Sequence, residues 1–131
     1  MKHLFDSSAI FTAIKENKVE ALAENYTIEL ARYELGNIIW KEHTLHKKIS
    51  EQEAKALVKT VNHTLNIMNI LETAGNEEEI LQTATQFKIT FYDASYAYLA
   101  KAKELKLVTQ DTQLTKKIAN QINTTTLENG K

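Results

Sequence analysis

The stretch HLFDSSAIF, residues 3–11, ends a short apolar segment on an aspartate and continues with two hydroxyl residues. An apolar segment of this length, followed by a helical pattern, indicates a buried strand that leads into a helix. Asp6 then has two interpretations: it is the N-cap of that helix, or it is a functional carboxylate at the carboxyl end of the strand. The choice depends on partners for Asp6 elsewhere in the chain.

Short apolar or β-branched segments alternate with helical patterns along the whole chain. The predicted strands cover residues 3–5, 26–28, 68–71, 107–109 and 124–127. The predicted helices after the first cover residues 29–43, 50–67, 77–87, 94–105 and 112–121, and the second of these opens with the capping box SEQE. Short buried strands between helices favour a parallel sheet covered on both faces. The sequence therefore predicts an α/β/α sandwich with a short central parallel sheet, in one domain spanning residues 1–131.

The composition narrows the class of protein. The chain is 43% hydrophobic and 25% charged, with a net charge of -1, so no overall field attracts nucleic acid or a membrane. The absence of cysteine excludes disulfides, thiolate zinc sites and a thiol nucleophile. Residues 6–8 interrupt the N-terminal apolar segment, and no stretch approaches the roughly 18 apolar residues of a membrane span. We therefore expect a cytoplasmic protein.

Asp111 is the first candidate partner for Asp6. It follows LVTQ as Asp6 follows HLF, and ligands of open parallel sheets bind beyond the carboxyl ends of the strands. Both aspartates also precede helices, so helix capping alone would explain either of them.

Glu34 and Asp93 are two further candidates. Glu34 interrupts the apolar stripe of its helix, so it lies at the edge of the stripe or is held inward by a partner. Arg32, the only arginine, lies on a different face of that helix. Asp93 lies in TFYDASYAYLA, where it either caps the following helix or places another acid at the start of a buried helix.

Together these acids form a candidate site of Asp6, Glu34, Asp93 and Asp111. Converging carboxylates repel and raise one another's pKa values unless a cation lies among them. Oxygen ligands without His or Cys suit a hard ion such as Mg²⁺ or Mn²⁺, which polarises phosphoryl oxygens and activates water. The set therefore predicts cleavage of phosphate esters.

The chain resembles the PIN domain family, and in particular the small toxins of the VapBC type. The resemblance covers residues 2–127 and rests on LFDSSAI, RYELGNIIWK, TFYDASYAYLAKAKELKLVTQD and the intervals between them. The last segment is the most specific, because acid, apolar helix, strand and acid recur in the family at this spacing. Many relatives carry a further acidic or amide residue just after the last aspartate. In this chain the segment DTQLT offers only Gln113 or a threonine there. One bound metal ion and two therefore both remain open.

The resemblance implies roles for individual residues. The acids of the family, which bind metal and catalyse cleavage, fall on Asp6, Glu34, Asp93 and Asp111. The family's hydroxyl two places after the first acid falls on Ser8, which would hold a water molecule or support a metal ligand. Asn37 matches an asparagine often found after the helical glutamate.

The function that the resemblance implies is that of a Mg²⁺- or Mn²⁺-dependent endoribonuclease, active on RNA, homodimeric and restrained by a VapB-type antitoxin. We expect the antitoxin to lay an apolar segment in a groove near Trp40 and residues 50–67, with an Arg or Lys against Glu34 and Asp93. One alternative is a non-catalytic PIN-like module that binds protein or RNA. Another is a phospho-acceptor domain with Asp6 as nucleophile, although Ser8 stands where such domains carry a second aspartate.

Several other side chains have two interpretations. Trp40, Tyr96 and Tyr98 either stack on bases or pack in the core or a dimer surface. His43 and His46 have a spacing that suits a transition metal, or they lie at a solvated helix end. A group of lysines forms either a rim that binds RNA phosphates or a plain solvated face, and consists of Lys101, Lys103, Lys106, Lys116 and Lys117.

Overall fold

The computed structural model describes residues 2–128, in which five strands form one sheet. The strands are β1 His3–Phe5, β2 Tyr26–Ile28, β3 Asn69–Leu71, β4 Lys106–Val108 and β5 Thr124–Thr125. Their order is β3-β2-β1-β4-β5, and each neighbouring pair is parallel. The predicted central parallel sheet is confirmed.

Six α-helices connect these strands within the described residues. They are α1 Ser7–Lys15, α2 Leu30–Trp40, α3 Glu51–Ile67, α4 Glu77–Phe87, α5 Phe91–Ala102 and α6 Thr112–Ile118. A short 3₁₀ helix, Val19–Leu22, precedes β2, and a π-helical turn, Lys41–Leu45, continues α2. No helix among residues 2–128 has both the length and the apolar character needed to cross a membrane.

The two faces of the sheet carry separate parts of the core. Successive strand residues point to opposite faces, and the register places Leu4 beside Leu107 and Phe5 beside Val108. Phe5 and Val108 pack with residues of α1, α2 and α3. Leu4 and Leu107 pack with residues of α5 and α6 on the other face, and α4 packs on α5. Helices therefore cover both faces, which makes the predicted α/β/α sandwich.

Most predicted element bounds agree with the structure to within a few residues, and the capping box of α3 is present. The side chain of Ser50 accepts the amide of Glu53, and the Glu53 side chain accepts the amide of Ser50. Helix α5 begins at Phe91 rather than at residue 94, because the hydroxyl of Thr90 accepts the amide of Asp93 and caps the helix there.

The strand order reverses between β1 and β4, and this reversal places the candidate site. From β1 the chain proceeds to β2 and β3 on one side, and it then returns to β4 on the other side of β1. In such sheets a crevice opens at the carboxyl ends of the two strands that flank the reversal. Asp6 directly follows β1, and Asp111 lies three residues after the end of β4.

Candidate active site

Asp6 is a buried N-cap at the carboxyl end of β1. Its side chain is 5% exposed, and its Oδ1 accepts hydrogen bonds from the Ser8 hydroxyl (2.6 Å) and the Ala9 amide (3.0 Å). Burial raises the pKa of Asp6 from 3.8 to about 6, and the negative charge of Asp93 adds to this rise. The hydrogen bonds lower the pKa only in part. The structure thus confirms the cap interpretation and places this cap directly after β1.

Hydroxyl groups tie the end of β1 to the end of β4. The Ser8 hydroxyl accepts the amide of Gln110 (3.0 Å) and lies 3.4 Å from the hydroxyl of Thr109. The Thr109 hydroxyl in turn accepts the amide of Asp111 at 3.1 Å. Thr109 is buried, and no sequence argument identified it, although a hydroxyl residue two places from an acid occurs at both strand ends.

Asp111 is exposed and caps α6. Its Oδ1 accepts the amides of Gln113 (2.9 Å) and Leu114 (3.1 Å), so the cap interpretation is confirmed here as well. The negative charge of Asp111 raises the pKa of Asp93, so the two carboxylates lie close enough to repel each other.

Asp93 lies in the first turn of α5 and connects the other acids electrostatically. Burial raises the pKa of Asp93, and the negative charges of Asp111 and Glu34 raise it further. The charge of Asp93 in turn contributes to the raised pKa of Asp6. The cap interpretation is wrong for Asp93, because Thr90 occupies the N-cap position. The acid is instead half-buried at the start of a buried helix.

Glu34 is half-buried on α2 and has a partner that sequence reasoning missed. Its Oε1 accepts a hydrogen bond of 2.7 Å from the hydroxyl of Tyr96 on α5. Arg32 bonds instead to Glu29 at 2.7 Å, as its different helix face predicted. Tyr96 is buried, so it packs in the core and is not available to stack on bases. Asn37, one turn on from Glu34, is exposed.

The donor set fits a hard divalent cation in its chemistry. It consists of carboxylates and hydroxyls. Burial raises the pKa values of Asp6 and Asp93, and the negative charge of Asp93 adds to the rise at Asp6, as those of Asp111 and Glu34 do at Asp93. A bound cation would offset this repulsion. Among residues 2–128, however, no three or more His, Cys, Asp or Glu side chains are arranged to hold one ion. Mg²⁺ typically uses one or two carboxylates and completes its shell with water. The four acids as ligands of one ion therefore stay a prediction.

The structure separates the lysines that the sequence grouped together. Lys101 and Lys106 line a cavity with Gln121 and Asn123. This cavity lies at the amino end of β4, whereas Asp111 follows its carboxyl end. Lys117, on α6, lowers the pKa of Asp93 by its positive charge. Any positive rim near the acids therefore involves α6 rather than the end of α5.

An apolar groove of about 560 Å³ lies between α2 and α3. Gly36, Ile39 and Trp40 line it from α2, and Ala54 and Val58 line it from α3. The side chains of Trp40 and Val58 are 49% and 50% exposed. The groove occupies the position that the sequence predicted, beside Trp40 and along the helix that begins after Ser50.

Comparison with known proteins agrees with this architecture. The PIN domain family model matches residues 3–120. The chain is 32% identical to the Exonuclease VapC9 of Pyrobaculum aerophilum, with 97% of this chain and 93% of that protein covered. It is 30% identical to the Ribonuclease VapC3 of the same organism, with 89% and 95% covered.

Two solved structures share the fold. The crystal structure of PAE2754 from Pyrobaculum aerophilum matches with a TM-score of 0.80 at 29% identity, and the match covers 98% of this chain and 92% of that one. A toxin-antitoxin complex from Klebsiella pneumoniae matches with a TM-score of 0.69 at 18% identity, and the match covers 96% and 98%. The chain therefore belongs to the PIN domain family, within which its relatives over nearly the whole chain are of the VapC type.

Proposed function

We propose that this PIN-domain protein is a Mg²⁺- or Mn²⁺-dependent endoribonuclease and the toxin of a toxin-antitoxin pair. The observation that carries the proposal is the set of acids at the reversal of strand order, where the charges of Glu34 and Asp111 both act on Asp93 and that of Asp93 acts on Asp6. Its relatives named exonuclease and ribonuclease support a nuclease activity. A cytoplasmic location and a homodimer are further parts of the proposal.

The proposed roles follow from the positions of the side chains. Asp6, Asp93 and Asp111 would hold the cation, and Glu34 would assist as a ligand or as the base that takes a proton from the attacking water. When bound, the cation would polarise a phosphoryl oxygen of RNA and lower the pKa of water. Ser8 and the buried Thr109 would orient Asp6 through their hydroxyl groups. Asn37 would support the metal ligands without binding the ion itself, as the resemblance implies.

Metal binding can be tested without measuring activity. We expect Mn²⁺ to raise the melting temperature of the wild type, because a ligand at 100 times its Kd stabilises the native state by ~2.7 kcal/mol. Asp6→Asn/Asp93→Asn should show much less of this rise. Glu20→Gln is the matched control, since Glu20 is an exposed carboxylate in the segment before β2, at the other edge of the sheet. An equal rise in the wild type and the double variant would contradict the metal site.

Cleavage is best tested with a circular RNA. An endoribonuclease opens a circle, whereas an exonuclease needs a free end, so products from circular RNA in Mn²⁺ and none in EDTA would support the proposal. Asp6→Asn and Asp6→Ser should both abolish cleavage, while both side chains can still cap α1. Full activity of either variant would mean that Asp6 acts only as a cap. No cleavage of linear or circular RNA by the wild type would favour the non-catalytic binding module.

The proposed partner is a VapB-type antitoxin. The groove between α2 and α3 offers the apolar surface for an amphipathic segment. Glu34 and Asp93 offer negative charge to an Arg or Lys on the same segment, which would compete with the cation and with RNA. The toxin-antitoxin complex from Klebsiella pneumoniae, which shares the fold, is consistent with such a partner.

A further inference from the structure

The contact between Tyr96 and Glu34 joins the hydrophobic core to the acidic site. Tyr96 is 1% exposed and packs with Leu4 and Ile28 on one face of the sheet. Its hydroxyl donates a hydrogen bond of 2.7 Å to Oε1 of Glu34, which lies 62 residues earlier in the chain. A ring held in a packed core has one orientation, so its hydroxyl is a fixed donor at the edge of the site.

Helix α5 brings this donor to the same place as Asp93. Asp93 and Tyr96 are three residues apart on one helix and therefore share a face. The charge of Glu34 acts on Asp93, so the two carboxylates repel each other when no cation is bound. A glutamate side chain on a helix surface has rotamers that lead away to solvent, and the hydrogen bond from Tyr96 opposes that movement.

We propose that Tyr96 is a positioning residue that holds Glu34 at the acidic edge, with Oε1 engaged and Oε2 left for the cation or the attacking water. This inference rests on the proposed metal-dependent cleavage and assigns a residue that the acids alone do not reveal. Tyr96 does not touch the reacting atoms. It acts through Glu34.

A tyrosine suits this task better than a basic residue would. An Arg or Lys against Glu34 would neutralise its charge and compete with the metal ion, whereas a phenol orients the carboxylate and leaves its charge in place. Burial raises the pKa of Tyr96, and the negative charges of Glu34 and Asp6 raise it further. A phenol already keeps its proton at neutral pH, since its ordinary pKa is about 10, so the Tyr96 hydroxyl is a donor to Glu34.

The test is Tyr96→Phe, which keeps the buried ring and removes only the hydroxyl. We expect the Kd for Mn²⁺, measured by electron paramagnetic resonance, to rise about 10- to 100-fold, as is typical when a group that orients a metal ligand is lost. The kcat for RNA cleavage should fall by a similar factor, with the KM for RNA unchanged within about twofold. Tyr98→Phe is the matched control, because Tyr98 lies on the same helix and packs against the same core.

A variant cycle with Glu34→Gln separates positioning from a general effect on the fold. If Tyr96 acts through Glu34, Tyr96→Phe should lower Mn²⁺ affinity in the wild type and change it little in the Glu34→Gln background. Equal losses in both backgrounds, or wild-type affinity and kcat in Tyr96→Phe, would overturn the positioning role alone. A wild type that neither binds Mn²⁺ nor cleaves RNA would overturn the proposed function and this inference with it.

Discussion

At the scale of single residues, two caps in this protein are also candidates for chemistry. Asp6 and Asp111 each accept backbone amides at the start of a helix, and each lies beyond the end of a strand. Capping needs only an oxygen near free amides, and an exposed serine would do it without the cost of burying a charge. Asp6 is almost wholly buried with a raised pKa. A buried charge is a costly way to cap a helix, which is consistent with the metal-binding role proposed for Asp6.

The raised pKa of Asp6 predicts how stability depends on pH in the metal-free protein. The pKa is 3.8 when unfolded and about 6 when folded, so the folded state prefers the neutral carboxyl. This preference stabilises the fold fully below about pH 4 and is lost as the pH rises through about 6. The difference between 3.8 and about 6 corresponds to roughly 3 kcal/mol. Asp6→Asn should therefore gain stability relative to the wild type as the pH rises.

Urea unfolding in EDTA at pH 4, 5, 6 and 7 measures this difference directly. The free energy of unfolding of Asp6→Asn minus that of the wild type should grow by a few kcal/mol between pH 4 and pH 7. Glu20→Gln, which changes an exposed carboxylate away from the acids, is the matched control. A flat difference for Asp6→Asn would mean that Asp6 titrates alike in the folded and unfolded states, and that its burial carries no cost.

At the scale of elements, local signals predicted what local physics controls. The strands β1 and β2 and the helix α4 have the predicted bounds, and α3 has the predicted capping box. The predicted helix over residues 29–43 instead ends at Trp40 and continues as a π-helical turn. This turn leads from α2 toward α3. The backbone amide of His46 donates a hydrogen bond to the carbonyl of Lys41, and this bond closes the turn. No periodicity in the sequence signals such a wider turn, because the residues involved are compatible with an ordinary helix.

Gly36, in the interior of α2, predicts a stabilising substitution. Glycine destabilises a helix interior by roughly 0.5–1 kcal/mol relative to alanine, and a Cβ added at Gly36 would meet nothing within 4 Å. We therefore expect Gly36→Ala to raise the free energy of unfolding by about 0.5–1 kcal/mol in the protein without its partner. Denaturant unfolding gives the measurement. A decrease would show that the added methyl group strains α2.

Gly75 provides the contrasting case. A Cβ there would also meet nothing within 4 Å, but the backbone has a φ of +90°, which residues with a Cβ adopt at a cost. Gly75→Ala should therefore destabilise the protein by about 1–2 kcal/mol, the reverse of Gly36→Ala. The pair separates the effect of backbone conformation from the effect of space.

At the scale of the whole molecule, the candidate site depends on a topology that brings acids from distant parts of the chain toward the reversal of strand order. Asp6 and Asp111 were identified because they follow strands, and the parallel sheet predicted that both lie at the carboxyl ends of the strands. Glu34 and Asp93 were identified from the apolar helices in which they lie. The sequence did not predict the Tyr96 hydrogen bond or the buried Thr109, because both depend on which side chains meet across 62 and 101 residues. The structure also places Lys101 and Lys106 away from the acids. Lys101 lies in the last turn of α5, whose first turn carries Asp93, and Lys106 begins β4, which leads to Asp111 at its other end.

The groove between α2 and α3 predicts which substitution weakens binding of the proposed antitoxin. Val58 is 50% exposed in the groove, so Val58→Asp should leave the fold intact but place a charge in an apolar interface. Central contacts of this kind contribute about 2–4 kcal/mol to binding, which corresponds to a Kd for the proposed antitoxin raised roughly 30- to 1000-fold. Calorimetry measures the affinity, and RNA cleavage in the presence of antitoxin should become resistant to inhibition.

Leu81→Asp is the matched control for this experiment, because Leu81 is 58% exposed on α4, outside the groove. It should bind the antitoxin with wild-type affinity. The basic residue that the antitoxin is proposed to set against Glu34 and Asp93 gives the complementary change. Its replacement by Ala should leave a complex that forms through the apolar groove yet no longer blocks cleavage. Full inhibition of cleavage by that Ala variant would mean that the antitoxin blocks the site by its bulk. If Val58→Asp bound the antitoxin with wild-type affinity, the antitoxin would occupy another surface.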